Sequence, residues 1–243
     1  MTLQVQKLAD TANKSVTIVL VHGAFVDASG WQTVFQVLSH DGYEVLVVQN
    51  SAVSLSDDVE RTRSAIAEAT FPVVLVGHSY GGAVITEAGA DEKVRCLVYL
   101  AAFVPEVGES VFDLASQDVP GAEKAPLLPP TDGFIRVDPA KFPMAFAADI
   151  EPKQARFMAV AQRPWGLEAV QGKITSPAWR AKPSFYLLAT EDRMIPPEAQ
   201  AMMAARAGAK VVEVRSSHAV MLSQPDEVAA IIKAAAETEA TKS

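Results

Sequence analysis

Cysteine is nearly absent from this chain: Cys96 is the only one in 243 residues. No intramolecular disulfide can form, and no cysteine pair or cysteine–histidine spacing offers a metal site. Cys96 lies in the apolar run Val94–Ala101 and is expected to be inert core. Basic runs are missing too, and the net charge is −8. Such a chain is a poor partner for nucleic acid or an anionic membrane surface. No apolar stretch is long and uninterrupted enough to span a bilayer. The N-terminus lacks the charged-then-apolar pattern of an export signal, so a cytoplasmic location is expected. No internal repeat is visible.

What the chain does carry is regular alternation. Apolar, β-branched runs begin near Val16, Glu44, Pro72, Val94, Ser184 and Lys210 and read as buried strands. Between and after them, Trp31–His40, Ser56–Ala69, Gly81–Ala90, Pro197–Ala207 and Pro225–Glu237 read as helices. Ser56-Asp57-Asp58 before Val59 has the look of a capped helix start. Alternation of this kind predicts an α/β fold with a mostly parallel, doubly wound sheet. A length of 243 residues suits one such domain with an ample core. Met1–Asn13 either adds an antiparallel edge strand, since Leu3-Gln4-Val5-Gln6 alternates, or stays outside the sheet.

The alternation breaks between Pro105 and Lys182, which hold most of the prolines together with Phe112, Phe134, Phe142, Phe146, Phe157, Trp165 and Trp179. A linker would be more polar. The expected division is therefore a core of residues 1–104 and 183–243, and a largely helical cap, 105–182, inserted into it.

Gly77-His78-Ser79-Tyr80-Gly81 joins the strand Pro72–Val76 to the helix that follows. A strand that becomes a helix within so few residues, with serine at the apex, is the G-x-S-x-G elbow. Side chains at the flanking positions would collide as the backbone reverses. The turn projects the hydroxyl outward at the positive end of the new helix. Serine alone is a weak nucleophile and requires a base and an orienting acid. His218 follows the strand Lys210–Val214, and Asp192 follows the strand Ser184–Ala189. Ser79, Asp192 and His218 would then all act from loops beyond the carboxyl ends of strands, where ligands bind in open α/β sheets.

Glu191 is the rival acid, but adjacent residues diverge in direction and the shorter Asp192 is the better fit. A tetrahedral intermediate also needs donors aimed at its oxygen; the amides of Tyr80 and of Ala24, in the loop after the first strand, are the expected pair. Three histidines stay outside the chemistry. His40 precedes Asp41-Gly42, a helix stop. His22 should fix its loop by hydrogen bonding, and His78 should point away from the serine and pack.

Taken together, these residues resemble the α/β-hydrolase superfamily over nearly the whole chain. His22-Gly23-Ala24 with Trp31, Gly77–Gly82, Thr190-Glu191-Asp192-Arg193-Met194-Ile195-Pro196 and Ser217-His218-Ala219 are similar to the plant methylesterase and hydroxynitrile lyase group and its small bacterial esterase relatives. That resemblance implies a capped site, no cofactor and no metal. The plant S-selective lyases carry threonine where this chain has Gly23, and after the catalytic histidine a lysine that stabilises departing cyanide. Here that position is Ala219. Both departures favour a serine esterase over a carbon–carbon lyase. A ligand-binding receptor with a vestigial triad is the other alternative. The expected partner is a small to medium uncharged carboxylic ester held by Phe25, Phe103, Trp165, Trp179 and Met221, and a homodimer is left open.

Overall fold

The computed structural model describes residues 14–240, so the expectation of an N-terminal edge strand lies outside the described residues. In chain order the first half runs β1 (Thr17–Val21), α1 (Gln32–His40), β2 (Glu44–Val48), α2 (Leu55–Glu68), β3 (Val73–His78), α3 (Gly81–Ala88) and β4 (Val94–Leu100). The segment after β4 carries α4 (Val111–Ala115), β5 (Phe134–Ile135), α5 (Phe142–Phe146), α6 (Pro152–Val160), β6 (Trp165–Gly166) and α7 (Leu167–Gln171). The chain ends with β7 (Ser184–Ala189), α8 (Pro197–Arg206), β8 (Lys210–Val214), α9 (Val220–Ser223) and α10 (Pro225–Ala240).

Six strands form one sheet in the order β2-β1-β3-β4-β7-β8, every neighbouring pair parallel. Parallel strands are covered on both faces, which is why they read as unbroken apolar runs. Alternation along each strand divides the core in two. On β4, Leu97 and Tyr99 enter the layer with α3 and the inserted segment, while Cys96, Val98 and Leu100 pack with Trp31, Leu38 and Ile232 on the other side. Phe142, Phe146 and Trp165 belong to the first of these layers, so the segment between β4 and β7 shares the core of the sheet. That segment adds no strand to the sheet; β5 and β6 pair with each other, antiparallel and two residues long, and Phe134 also bridges Thr131.

The start of α2 differs from expectation. Its cap is Ser54, not Ser56: Ser54 is extended, and its side chain accepts the amide of Asp57. Leu55 can then open the helix facing inward, and the buried positions follow as Leu55, Asp58, Val59, Thr62 and Ile66. Among the described residues, no helix is long and apolar enough to cross a membrane.

Strand order reverses direction between β1 and β3, and ligands in open α/β sheets bind at that switch point, beyond the carboxyl ends. Backbones converge tightly here. A Cβ added at Gly82 would lie 2.3 Å from the carbonyl oxygen of Phe103, whereas one at Gly30 would meet nothing within 4 Å. Gly82→Ala should therefore destabilise the fold by about 1–3 kcal/mol, and Gly30→Ala should stay within about 0.5 kcal/mol. Equal urea midpoints for the two variants would show that the turn yields where its packing says it cannot.

Candidate active site

Ser79 sits immediately after β3 in the left-handed region, with φ 55°. Such a conformation costs a non-glycine residue about 1–2 kcal/mol and persists only where the surroundings enforce it. They do so through backbone bonds. The Ser79 amide donates to Leu100 O (3.2 Å), and its carbonyl accepts the amides of Gly82 (2.9 Å) and Phe103 (3.1 Å). A Cβ at Gly77 would lie 2.5 Å from Gly81 O, and one at Gly23 would lie 2.6 Å from the Cβ of Ser79.

His218 bridges the other two residues of the expected triad. Its Nε2 is 2.9 Å from Ser79 Oγ and its Nδ1 is 2.7 Å from Asp192 Oδ2. A carboxylate only accepts, so Nδ1 carries the proton and Nε2 is free to accept from the serine hydroxyl. All three residues are buried. Asp192 takes three further donors: Gln200 Nε2 on Oδ2 (2.8 Å), and the amides of Met194 (2.7 Å) and Ile195 (3.0 Å) on Oδ1. Glu191 turns outward and pairs with the exposed Arg215.

His22 ties down the loop after β1. Its Nε2 accepts the Asn50 amide (2.9 Å), so its Nδ1–H donates to Gly23 O (2.8 Å). His78 departs from expectation: it does not turn away from the site but lies beside the base. Its ring centroid is 4.7 Å from that of His218, and its Nε2–H donates to His218 O (2.8 Å). The sharp turn places residue 78 under the loop that carries His218, so packing and anchoring coincide. Its Nδ1 is buried without a partner.

Around the serine, the amides of Ala24 and Tyr80 donate to no protein acceptor among the described residues. The Tyr80 hydroxyl is fully engaged, donating to Asp58 Oδ2 (2.9 Å). Asp58 also accepts from Ser51 N, Ser51 Oγ and Ala52 N, so one buried carboxylate pins both the β2–α2 loop and the ring behind the elbow. Trp165 packs edge-on to Phe25 (5.6 Å between centroids) and tilted on Tyr80 (5.3 Å).

Two expected lining residues are elsewhere. Trp179 bonds Pro105 O through Nε1 (3.0 Å), and its neighbour Ala178 lies against Gly89, at the far end of α3. Eight helical residues put that point about 12 Å from the elbow. Met221 lies in the opposite core layer with Trp31 and Val228, because α9 carries the chain beneath the sheet straight after His218.

Phe103, by contrast, lines a cavity of about 340 Å³ with Leu114, Leu127, Ile195, Met202 and Met203. Ser79 and His218 are not among its walls. It touches the triad through backbone: Phe103 holds the serine carbonyl, and Met194 and Ile195 hold Asp192. No group of three or more acidic, histidine or cysteine residues could hold a metal among the described residues.

Asp58 and Gln200 escaped the sequence reading although a signal exists. Each is polar at a buried position of a helix's apolar stripe, Gln200 with Met203 and Ala204, Asp58 with Leu55 and Val59. Asp149 and Phe146, which contact the His218 loop, lie where no periodicity marks them.

Burial lowers the pKa of His22, with the bond to Gly23 opposing. Burial lowers that of His78 further, with His218 adding to the effect. Both are neutral in the fold, while an unfolded histidine titrates near 6.5. Below that value the unfolded chain binds protons that the folded chain does not, so stability falls with falling pH. Each histidine contributes up to about 1.4 kcal/mol per pH unit. Between pH 7 and 5.5, His22→Gln should flatten the urea-measured slope by less than one proton, most at the acid end; an unchanged slope would mean that His22 does not take part.

The pattern of the family described as "Alpha/beta hydrolase family" matches residues 18–231. The chain is 29% identical over 242 residues to the alpha/beta hydrolase nvfD of Aspergillus novofumigatus, covering 90% of this chain and 96% of that one. It is 38% identical over 117 residues to a carbendazim hydrolyzing esterase of a Nocardioides species, covering 42% of this chain and 48% of that one. In structure it resembles a pyrethroid hydrolase from Sphingobium faniae JZ-2, with TM-score 0.79, 22% identity, and 93% and 99% of the two chains covered. Sheet order, elbow and sequence match agree, and the chain belongs to the alpha/beta hydrolase family.

Proposed function

We propose that this chain is a serine carboxylic ester hydrolase working through an acyl-enzyme. The observation that carries the reading is the unbroken relay from Ser79 Oγ through His218 to Asp192, at 2.9 and 2.7 Å. His218 Nε2 takes the serine proton as Oγ attacks the ester carbonyl, and Asp192 holds the ring and its developing charge. The Ala24 and Tyr80 amides receive the oxyanion, each worth about 3 kcal/mol in the transition state. His218 returns the proton to the leaving alcohol, then activates the water that frees the acid. Hydrolases and esterases among the relatives support this chemistry.

The lyase alternative finds no support in the geometry. A side chain at position 23 would strike Ser79, and position 219 is fully buried beside the base, with alanine there. A receptor would have no use for a carboxylate as fully saturated with donors as Asp192.

Residues 105–182 act as the cap in this reading, and the 340 Å³ cavity beneath them takes the apolar arm of the substrate. Its volume lies in the range of small-molecule sites. Three methionines, Met194, Met202 and Met203, give it deformable walls. Small to medium uncharged esters follow as substrates.

Ser79→Ala should abolish cleavage of 4-nitrophenyl acetate, and a fluorophosphonate should add one mass increment to the parent, at Ser79. Asp192→Asn should slow acylation about 10²–10⁴-fold, while Glu191→Gln changes it less than about 2-fold, since its partner is a solvent-exposed arginine. Turnover in Ser79→Ala, or the reverse ordering of the two acids, would overturn these assignments.

Across esters from acetate to laurate, each methylene that fits should raise kcat/KM by about 1 kcal/mol or more, up to a steric cutoff. Ala199→Trp, filling the cavity from α8, should move that cutoff to shorter chains and affect acetate least. A steady rise to laurate, or a profile that Ala199→Trp leaves unchanged, would remove the cavity from substrate binding.

A further inference from the structure

The loop that carries His218 has no regular structure between the end of β8 at Val214 and the start of α9 at Val220. Its polar backbone groups are nevertheless accounted for on both sides of the histidine. The Ser217 amide donates to Asp149 Oδ2 (2.9 Å), and the Ser217 hydroxyl donates to Asp149 Oδ1. The Ala219 amide donates to Phe146 O (3.0 Å). Between them, His218 O accepts from His78 (2.8 Å). Two of these anchors come from residues 146–149 of the inserted segment, far away in sequence. The same stretch supplies a wall to the imidazole. Phe146 stands edge-on to it at 4.8 Å and stacks on Phe142 at 4.7 Å.

We propose that Asp149 is a positioning residue for His218: it grips Ser217 through both carboxylate oxygens and thereby sets the height of the imidazole over Ser79. The proposal rests on the esterase reading above and deepens it, since it makes the inserted segment part of the base's support as well as a cover. The chemistry of the grip favours a carboxylate. Ser217 offers two donors from one residue, the amide and the hydroxyl, and a carboxylate can accept both at once in charge-assisted bonds. Burial would raise the pKa of Asp149, but the bonds from Ser217 and the Ser223 hydroxyl outweigh it, and the net shift is downward. Ser217 is almost fully buried while Asp149 reaches the surface, so the carboxylate is what stands between the Ser217 amide and solvent.

The relay depends on a 2.9 Å contact between His218 Nε2 and Ser79 Oγ. A displacement of about 1 Å at such a contact can cost about 10²-fold in rate. Removing the grip should therefore reach kcat rather than KM. An amide at position 149 can replace it: its oxygen accepts the Ser217 amide, and its NH₂ donates to the Ser217 hydroxyl oxygen, whose own proton keeps Phe146 O as an acceptor at 3.2 Å.

The test compares Asp149→Ala and Asp149→Asn, using 4-nitrophenyl acetate turnover and the rate of fluorophosphonate labelling at Ser79, with competent sites counted by burst titration. Asp149→Ala should lower kcat per competent site about 10- to 100-fold, with KM changing less than about 2-fold. Labelling should slow in parallel. Asp149→Asn should recover all but about 3-fold of that loss. Three results would overturn the proposal: kcat per competent site unchanged in Asp149→Ala, a loss confined to KM, or equal losses in the two variants. A loss explained wholly by fewer competent sites would assign Asp149 a structural role and overturn it as well. Failure of the parent to label at Ser79 is a distinct result, and would remove the esterase reading together with the proposal built on it.

Discussion

The site depends on one close approach of backbones. The end of β1, the turn from β3 into α3, and the chain at residue 103 meet at Ser79 with no side chains between them. Gly23, Gly77, Gly81 and Gly82 each lack a Cβ where one would lie within 2.6 Å of another atom. That contact holds Ser79 at φ 55°, because relaxing the serine would require the neighbouring backbones to move as well. It also brings the Ala24 loop alongside the elbow, so the strain at Ser79 and the placement of the proposed oxyanion donors have one cause. Such strain is stable only in a rigid frame, and the buried central strands β1, β3, β4 and β7 beneath provide it.

Around that contact, buried polar groups are held by saturation with partners. Asp192 accepts four donors, one of them the base. Asp58 accepts four more, which fix Tyr80 and the loop at Ser51 and Ala52. An uncompensated buried carboxylate would be costly, so each stays where its donors are. These networks act as struts because each carboxylate gathers donors from more than one piece of chain. Neutral histidines fill the remaining gaps: His22 joins two loops, and His78 supports the base from below. His78 keeps an unpaired nitrogen in the interior, a cost the fold carries at the centre of its chemistry.

Much of this was written in local sequence. All six sheet strands begin within one residue of where the apolar runs start; the central ones are buried on both faces and have few ways to be spelled, and the edge strands β2 and β8 keep the β-branched run although they are partly exposed. That Ser79, Asp192 and His218 come together was legible because an elbow serine would need a base and an acid, and strand ends supply so few positions. What was not legible lay in long-range packing. Trp179 and Met221 are apolar residues that could serve any layer, and only the path of the chain decides which one. The cap of α2 moved two residues because Leu55 had a core site to fill. Asp58 and Gln200 show the converse: a polar residue on a buried helical stripe marks a structural bond waiting for its partner, even where the partner cannot be named.

The inserted segment shows why the missing information sits where it does. A cover over a pocket needs only apolar residues, and Phe142, Phe146 and Trp165 would suffice for that. Residues 146–149 go further, since they take up the backbone donors on both sides of His218. Within the β8–α9 loop the Ala219 amide finds only a long contact to Ser217 Oγ (3.3 Å), because the loop makes no regular structure and is buried. Buried amides must find acceptors, and the nearest chain able to provide them is the insertion. The same need that would otherwise destabilise the loop thus ties the covering segment to the base. The inserted segment and the His218 loop are consequently parts of one packed unit, and a change at residues 146–149 reaches the imidazole through the hydrogen bonds to Ser217 and Ala219 and through an aromatic edge.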